Sequence, residues 1–202
     1  MRLGSARPLA AAPQALFSTA VFFCSVWAVQ AAWIPLKAEL AQVLLQHSWD
    51  MQKKGTDKKP WPWADTHALA KLKVPRLQVE QIVLAGSSDR NLAFGPTLSE
   101  SSLRLQDWVI NGHRDTHFRF LQDLQHGDQL RLETAEGIKT FEVDTLEIID
   151  SREYDLVLEP GLNRLSLVTC YPFDAVTAGG PLRYVVTALP SGEPDWSKTS
   201  SG

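Results

Sequence analysis

Cysteine is nearly absent: the 202 residues hold only Cys24 and Cys170. Cys24 lies in an apolar N-terminal stretch and Cys170 far beyond it, so no disulfide can form within a folded domain. No Cys-x-x-Cys pair occurs, which removes the commonest metal signature for cysteine. No internal repeat and no low-complexity segment is present, excluding repeat architectures. No basic stripe interleaved with aromatics occurs and the net charge is −3, so nothing indicates a nucleic-acid partner. Charge is also missing locally, with no Asp, Glu, Lys or Arg between Pro8 and Leu36. The length allows one domain with a real core plus an accessory segment, and the balance of apolar and charged residues is globular.

The uncharged stretch has the length of a membrane span. Ala15 to Ile34 is mostly Ala, Val, Phe, Leu and Trp, close to the ~20 residues a helix needs to cross a bilayer. Residues 13–35 therefore read as a transmembrane anchor, with Trp27 and Trp33 suited to its interfacial end. The competing reading is a cleavable signal peptide, with Arg2 and Arg7 as its basic start and Val29-Gln30-Ala31 as its small-residue cleavage pattern. Either exports the remainder of the chain. Arg2, Arg7 and the α-amino group on one side, against Lys37 with Glu39 on the other, favour a cytoplasmic N-terminus over residues 1–12.

Residues 36–66 read as a helix and then a stalk. Leu36, Leu40, Val43, Leu44 and His47 fall at helical spacing, and the stripe suits either the membrane surface or the domain. The run with Lys53, Lys54, Lys58 and Lys59 is a solvated linker, with contact to membrane phosphates as the alternative. Pro60-Trp61-Pro62-Trp63 cannot continue a helix, since proline lacks the donor, and is expected to dock on the domain.

The pattern then becomes strand-like over residues 67–190, leaving 191–202 as a tail. Runs are expected at Leu72 to Leu77, Val79 to Leu84, Ser102 to Ile110, Gln129 to Thr134, Lys139 to Ile149, Arg164 to Cys170 and Leu182 to Leu189. Glu136-Gly137 marks a hairpin, and short helical turns are expected near Arg90 to Gly95 and Phe118 to Leu124. Seven or eight short strands with few long helices predict a mainly β fold, a closed or nearly closed barrel.

Three motifs sit at the ends of such runs. Cys170 ends Arg164 to Cys170, where Leu165, Leu167 and Thr169 alternate with Ser166, Val168 and Cys170, and Pro172 stops the strand. His113 stands in Asn111-Gly112-His113-Arg114-Asp115-Thr116-His117-Phe118, after the apolar Trp108-Val109-Ile110. Arg183 opens a strand after Gly179-Gly180-Pro181. Singly, these are a buried thiol, a surface histidine and a solvated charge. Together, in this order, Ser166-Leu167-Val168-Thr169-Cys170 resembles the Thr-Leu-x-Thr-Cys signature of sortases, the Gly-His motif resembles the segment carrying their histidine, and Arg183 stands where they carry an arginine. The resemblance covers roughly residues 70 to 190 and is closest to the branch known from marine proteobacteria.

It implies a sortase-like barrel of about eight strands and a catalytic trio of His113, Cys170 and Arg183, with no cofactor. The implied protein is a single-pass inner-membrane cysteine transpeptidase facing the periplasm. Its implied partner is an exported protein with a sorting signal of the Leu-Pro-x-Thr-Gly type, and the acceptor amine is open. The chemistry fits the residues. A free thiol with a pKa of about 8.5 is mostly protonated at neutral pH, so nearby cations are needed to favour the attacking thiolate. Arg183 suits the oxyanion, and His113 suits protonation of the leaving amine and deprotonation of the incoming one.

Other readings coexist at this level. Asp115 is expected to close a turn, with orientation of the histidine loop as the alternative, Thr169 to be a strand residue facing away from Cys170, and Asp174 to Gly180 to wall the substrate groove. His113, His117 and Cys170 with Asp115 nearby form an alternative zinc set, although Gly112 and the polar run favour a loop over the helix such a pair prefers. His67 and His126 read as surface residues, and no ligand cluster for calcium is readable. A secreted cysteine hydrolase on the same scaffold and a non-catalytic envelope binding module are the remaining classes.

Overall fold

The computed structural model describes residues 40–54, 59–86, 88–154, 157–175 and 179–192. The anchor expected over residues 13–35 lies outside them, and among the described residues no helix is long and apolar enough to cross a membrane. Eight strands succeed one another as β1 (Ala68–Val74), β2 (Val79–Ala85), β3 (Thr97–Leu98), β4 (Asp107–Asn111), β5 (Gln129–Thr134), β6 (Gly137–Asp150), β7 (Arg164–Cys170) and β8 (Leu182–Pro190). They close into a barrel in the order β1-β2-β3-β4-β7-β8-β6-β5. β2 with β3 and β4 with β7 are parallel; the other neighbours are antiparallel.

Alternation along the strands fills the barrel. Leu72, Val83, Trp108, Ile110, Leu130, Leu132, Phe141, Leu165, Leu167 and Val186 form one buried cluster with Phe118 and Leu121 from the loop after β4. Each such side chain contributes about 1.5–3 kcal/mol by leaving water. On β7, Leu165 and Leu167 point inward, so Val168 and Cys170 fall on the outer face.

The helix over residues 40–52, α1, corrects the expected stripe. Ala41, Leu45, Ser48 and Trp49 are its buried residues, whereas Val43 is 65% exposed. Leu45 and Trp49 pack with Ala68, Ile82 and Leu84, so the apolar face rests on the barrel. Trp61 docks edge-on against Phe94 at 4.9 Å, while Trp63 is exposed. Of the basic run, Lys53 pairs with Glu133.

The run Ser102 to Ile110 is not one strand. Its first half is helix α3 (Glu100–Leu105), begun by Ser99, whose side chain accepts from the Ser102 backbone N–H, and ended by Gln106 in the left-handed conformation. Ser102, buried, donates to the Asp107 carbonyl and accepts from the Val109 N–H at 2.8 Å, fixing where β4 starts. The first strand runs Ala68–Val74, and Pro75–Leu77 turns as a 3-10 helix because proline at its start has no ladder donor. The two other helical turns are α2 (Asp89–Leu92) and Arg119–Asp123.

Candidate active site

β7 lies between β4 and β8, and the ends of these three strands gather the predicted residues. Cys170 and Arg183 are partners across the antiparallel β7–β8 pair, so their side chains leave the same face of the sheet as close neighbours. In the parallel β4–β7 pair Asn111 is level with Val168, and the Gly112 N–H continues the ladder by donating to the Val168 carbonyl at 3.1 Å. Two residues further along each chain come His113 and Cys170. Trp108 and Ile110 point into the core, and a Cβ on Gly112 would meet the buried Phe118 ring at 2.6 Å. His113 therefore projects the opposite way and is exposed. Cys170 is a half-buried free thiol, reachable and held by backbone on both sides.

Neighbouring groups hold this arrangement. Thr169, buried, donates its hydroxyl to the Gly112 carbonyl at 2.7 Å and so fixes the residue before His113 from inside the barrel. Glycine at 112 is a packing requirement, since Phe118 occupies the space of any side chain. Arg183 Nη1 donates to the Gly180 and Leu182 carbonyls at 2.7 and 2.9 Å. Beyond Cys170 the Tyr171–Pro172 peptide is cis, and Tyr171 and Phe173 pack on Tyr184 at 6.2 and 5.2 Å. In the expected groove wall, residues 176–178 lie outside the described residues.

Asp115 lies in the turn over residues 114–118, but its carboxylate accepts no backbone bond from the described residues. It takes a two-point bond from Arg114, Nε to Oδ1 at 2.7 Å and Nη2 to Oδ2 at 2.9 Å, and those bonds hold its carboxyl below the usual carboxylate range against the effect of burial. Arg114 is a residue that sequence reasoning misses. It is 5% exposed, and it also donates to the carbonyls of Pro172 and Ala175 at 2.6 and 2.9 Å. The one signal is an arginine and an aspartate directly after Gly-His. His117 enters the sequence reading only as an alternative ligand. Burial, and then the charge of His113, hold it below its ordinary value, opposed by a hydrogen bond with the Ala93 backbone. Among the described residues no group of three His, Cys, Asp or Glu side chains is placed to hold a metal ion. His126 is exposed and His67 half-buried.

A cavity of about 380 Å³ opens on the outer face of β6, β8 and β7, lined by Glu147, Ile149, Tyr154, Ser166, Val185 and Thr187 among others. Ile149 is the β6 partner of Arg183, and Val185 the β8 partner of Val168, so the hollow adjoins the Cys170 and Arg183 row. The loop between β6 and β7 is tied down beside it. Buried Asp107 accepts from Arg164 Nε and Nη2 at 3.0 and 2.8 Å and from the Glu159 N–H at 3.0 Å.

The sortase domain model matches residues 72–191. The chain belongs to the sortase family. Sortase D of Bacillus subtilis (strain 168) is 33% identical over 119 residues, 57% of this chain and 60% of that protein's length. Sortase A from Corynebacterium diphtheriae aligns with a TM-score of 0.55 at 23% identity, over 66% of this chain and 65% of that one. Sortase A of Listeria monocytogenes aligns at 0.53 and 23% identity, over 62% and 88%. At these identities the solved structures bear on the fold alone, an eight-stranded sortase barrel. In this sortase the barrel brings the thiol, the guanidinium and the imidazole loop to one rim.

Proposed function

We propose that this sortase is a cysteine transpeptidase of the cell envelope that cleaves a sorting signal in an exported protein and passes it, through a thioester, to an amine. The carrying observation is the register that pairs Cys170 with Arg183 and sets His113 two residues beyond the Asn111 and Val168 level. Cys170 Sγ attacks the scissile carbonyl as thiolate, forming the C–S bond and an oxyanion. Arg183 donates to that oxyanion; its bonds to Gly180 and Leu182 use Nη1, so its Nε and Nη2 edge carries no bond to the described residues. As the C–N bond breaks, His113 gives its proton to the leaving amine. Neutral His113 then takes a proton from the incoming amine, whose attack breaks the thioester and returns the thiol. The hollow beside Arg183 suits an extended substrate segment with apolar side chains, through Ile149, Tyr154 and Val185.

The rest of the reading concerns place and partner. The sorting signal resembles Leu-Pro-x-Thr-Gly, and the domain faces the periplasm from an inner-membrane anchor at residues 13–35, as in the marine proteobacterial branch. Supporting it are the uncharged stretch from Pro8 to Leu36 and the basic residues Arg2 and Arg7 before it. Incubation with a Leu-Pro-x-Thr-Gly peptide, with and without an added amine, and then mass spectrometry, tests the activity. The expected result is a thioester on Cys170, amine-dependent product, loss of both in Cys170→Ala and His113→Ala, and retention in His117→Ala. Product release unaffected by amine makes the protein a hydrolase. Equal loss in His117→Ala and His113→Ala overturns the assigned histidine.

A further inference from the structure

The pair Arg114 and Asp115 lies within the candidate site yet has no part in the proposed cycle. A guanidinium is almost never buried unless its donors are matched, and at Arg114 three of its nitrogens are engaged. Nε and Nη2 fork onto the Asp115 carboxylate, Nη1 donates to the Pro172 carbonyl, and Nη2 also reaches the Ala175 carbonyl. The two carbonyls belong to the chain leaving Cys170, and the carboxylate belongs to the chain leaving His113. Their sequence separations from Arg114 are 58 and 61 residues, so this single side chain joins two loops that the barrel brings together but no ladder bond connects.

We propose that Arg114 is a positioning residue that ties the turn after Cys170 to the segment after His113 and, paired with Asp115, sets its guanidinium on the carbonyls of the chain leaving Cys170 while the carboxylate stays on the chain leaving His113. The proposal deepens the transpeptidase reading and rests on it. Tethering matters because a nucleophile at one strand end and an acid–base partner on the loop after another strand lose rate steeply when their geometry loosens. A positive charge on the chain leaving Cys170 and a negative one on the chain leaving His113 favour thiolate and imidazolium respectively. The electrostatic neighbours agree: Asp115 hydrogen bonds hold Arg114 above its ordinary value against burial, and the charges of Asp115, Cys170 and Asp174 add to this. Asp115 in turn is acted on by Arg114, Arg119 and His113. The charged and titratable groups around the thiol are thus His113, Arg114, Asp115, Asp174 and Arg183, with Arg119 behind Asp115. A lysine at 114 keeps the charge but cannot make the planar two-point bond and reach both carbonyls.

The test separates charge from tether. Iodoacetamide alkylation of Cys170, resolved by mass spectrometry across pH, needs no substrate, and a His113→Ala background removes the neighbouring imidazole. In that background Arg114→Met is expected to raise the alkylation midpoint by about half a pH unit or more, and Asp115→Asn to lower it, because one removes a positive and the other a negative charge from the chain segments beside Cys170. A merely structural role does not produce opposite signs. In the otherwise native enzyme Arg114→Lys is expected to leave the midpoint near the parent value while lowering kcat by roughly ten-fold. Shifts of the same sign, no shift in either variant, or full turnover in Arg114→Lys overturn the proposal. Should circular dichroism show Arg114→Met unfolded, Asp115→Asn and Arg114→Lys carry the same decision. Peptide cleavage that survives Cys170→Ala defeats the transpeptidase reading instead, and alkylation is still readable as a separate result.

Discussion

Cys170 and Arg183 are direct cross-strand partners at the end of the β7–β8 pair. The relation is set by backbone ladder bonds, so the two residues are held level with one another without any loop rearrangement. Arg183→Ala is therefore expected to lower kcat for peptide cleavage by about 10²–10³, the usual effect of removing an oxyanion donor, with a smaller change in KM. Arg183→Lys is expected to recover only part of this, since an ammonium lacks the planar fork. Steady-state kinetics on a fluorogenic sorting-signal peptide measure both.

Gly112 is held to glycine by the Phe118 ring, whose Cγ and both Cδ atoms lie 2.6 to 2.9 Å from where a Cβ would be. Gly112→Ala is expected to displace either the buried ring or the His113 loop. The cost is about 1–3 kcal/mol of stability, in line with overpacking of a closed core, together with lost cleavage. Urea unfolding and the peptide assay read the two effects separately.

Asp107 is fully buried and anchors both Arg164 and the Glu159 N–H. Asp107→Asn removes the charge that Arg164 faces and is expected to cost about 3 kcal/mol, as for breaking a buried pair on one side. Because the same carboxylate holds the loop beside the groove, KM for peptide is expected to rise in the folded fraction. Differential scanning calorimetry with KM measured well below the new Tm checks this.

Arg76 gives two hydrogen bonds to Asp128. Those bonds hold the Asp128 carboxyl below its usual range, against burial and aided by the Gln125 N–H. The folded value is thus lower than the unfolded one, about 3.9. The resulting stability is present above the unfolded value and is lost as pH falls through the folded one. Wild type is expected to lose unfolding free energy below about pH 4, and Asp128→Asn to be less stable at neutral pH but flatter across that acid window. Urea titrations at several pH values decide it.

Much of the barrel is legible in the sequence because inward and outward residues alternate. Gln129–Thr134 and Arg164–Cys170 are the observed β5 and β7 residue for residue, since each alternates cleanly and ends at a turn residue or a proline. Ser102 to Ile110 misleads because Leu103 and Leu105 alternate with polar residues in a helix of only six residues, too short for its period to show. β3 is two residues long and offers no pattern at all. The helix stripe is misplaced because Leu40, Val43 and Leu44 are as apolar as Leu45; the bulk of Trp49 decides which face docks. Motifs name His113, Cys170 and Arg183, and the sheet supplies what motifs lack, the register that pairs Cys170 with Arg183 and sets His113 two residues past the Asn111 and Val168 level. Arg114 escapes because, besides the adjacent Asp115, its partners are backbone carbonyls of a distant loop, and no side-chain identity marks them.

Every strand of the ring has a neighbour on both sides, the last junction being β1 with β5. A protein whose proposed substrates are extended peptides would otherwise risk acquiring them as extra strands, since an unpaired sheet edge captures any stretched chain through its main chain, whatever the sequence. Closing the ring withholds that indiscriminate adhesion wherever a strand is paired on both sides, as β7 is by β4 and β8. A peptide of the proposed kind is then left to the side chains on the outer wall, and any selectivity among such peptides becomes a matter of which residues those are.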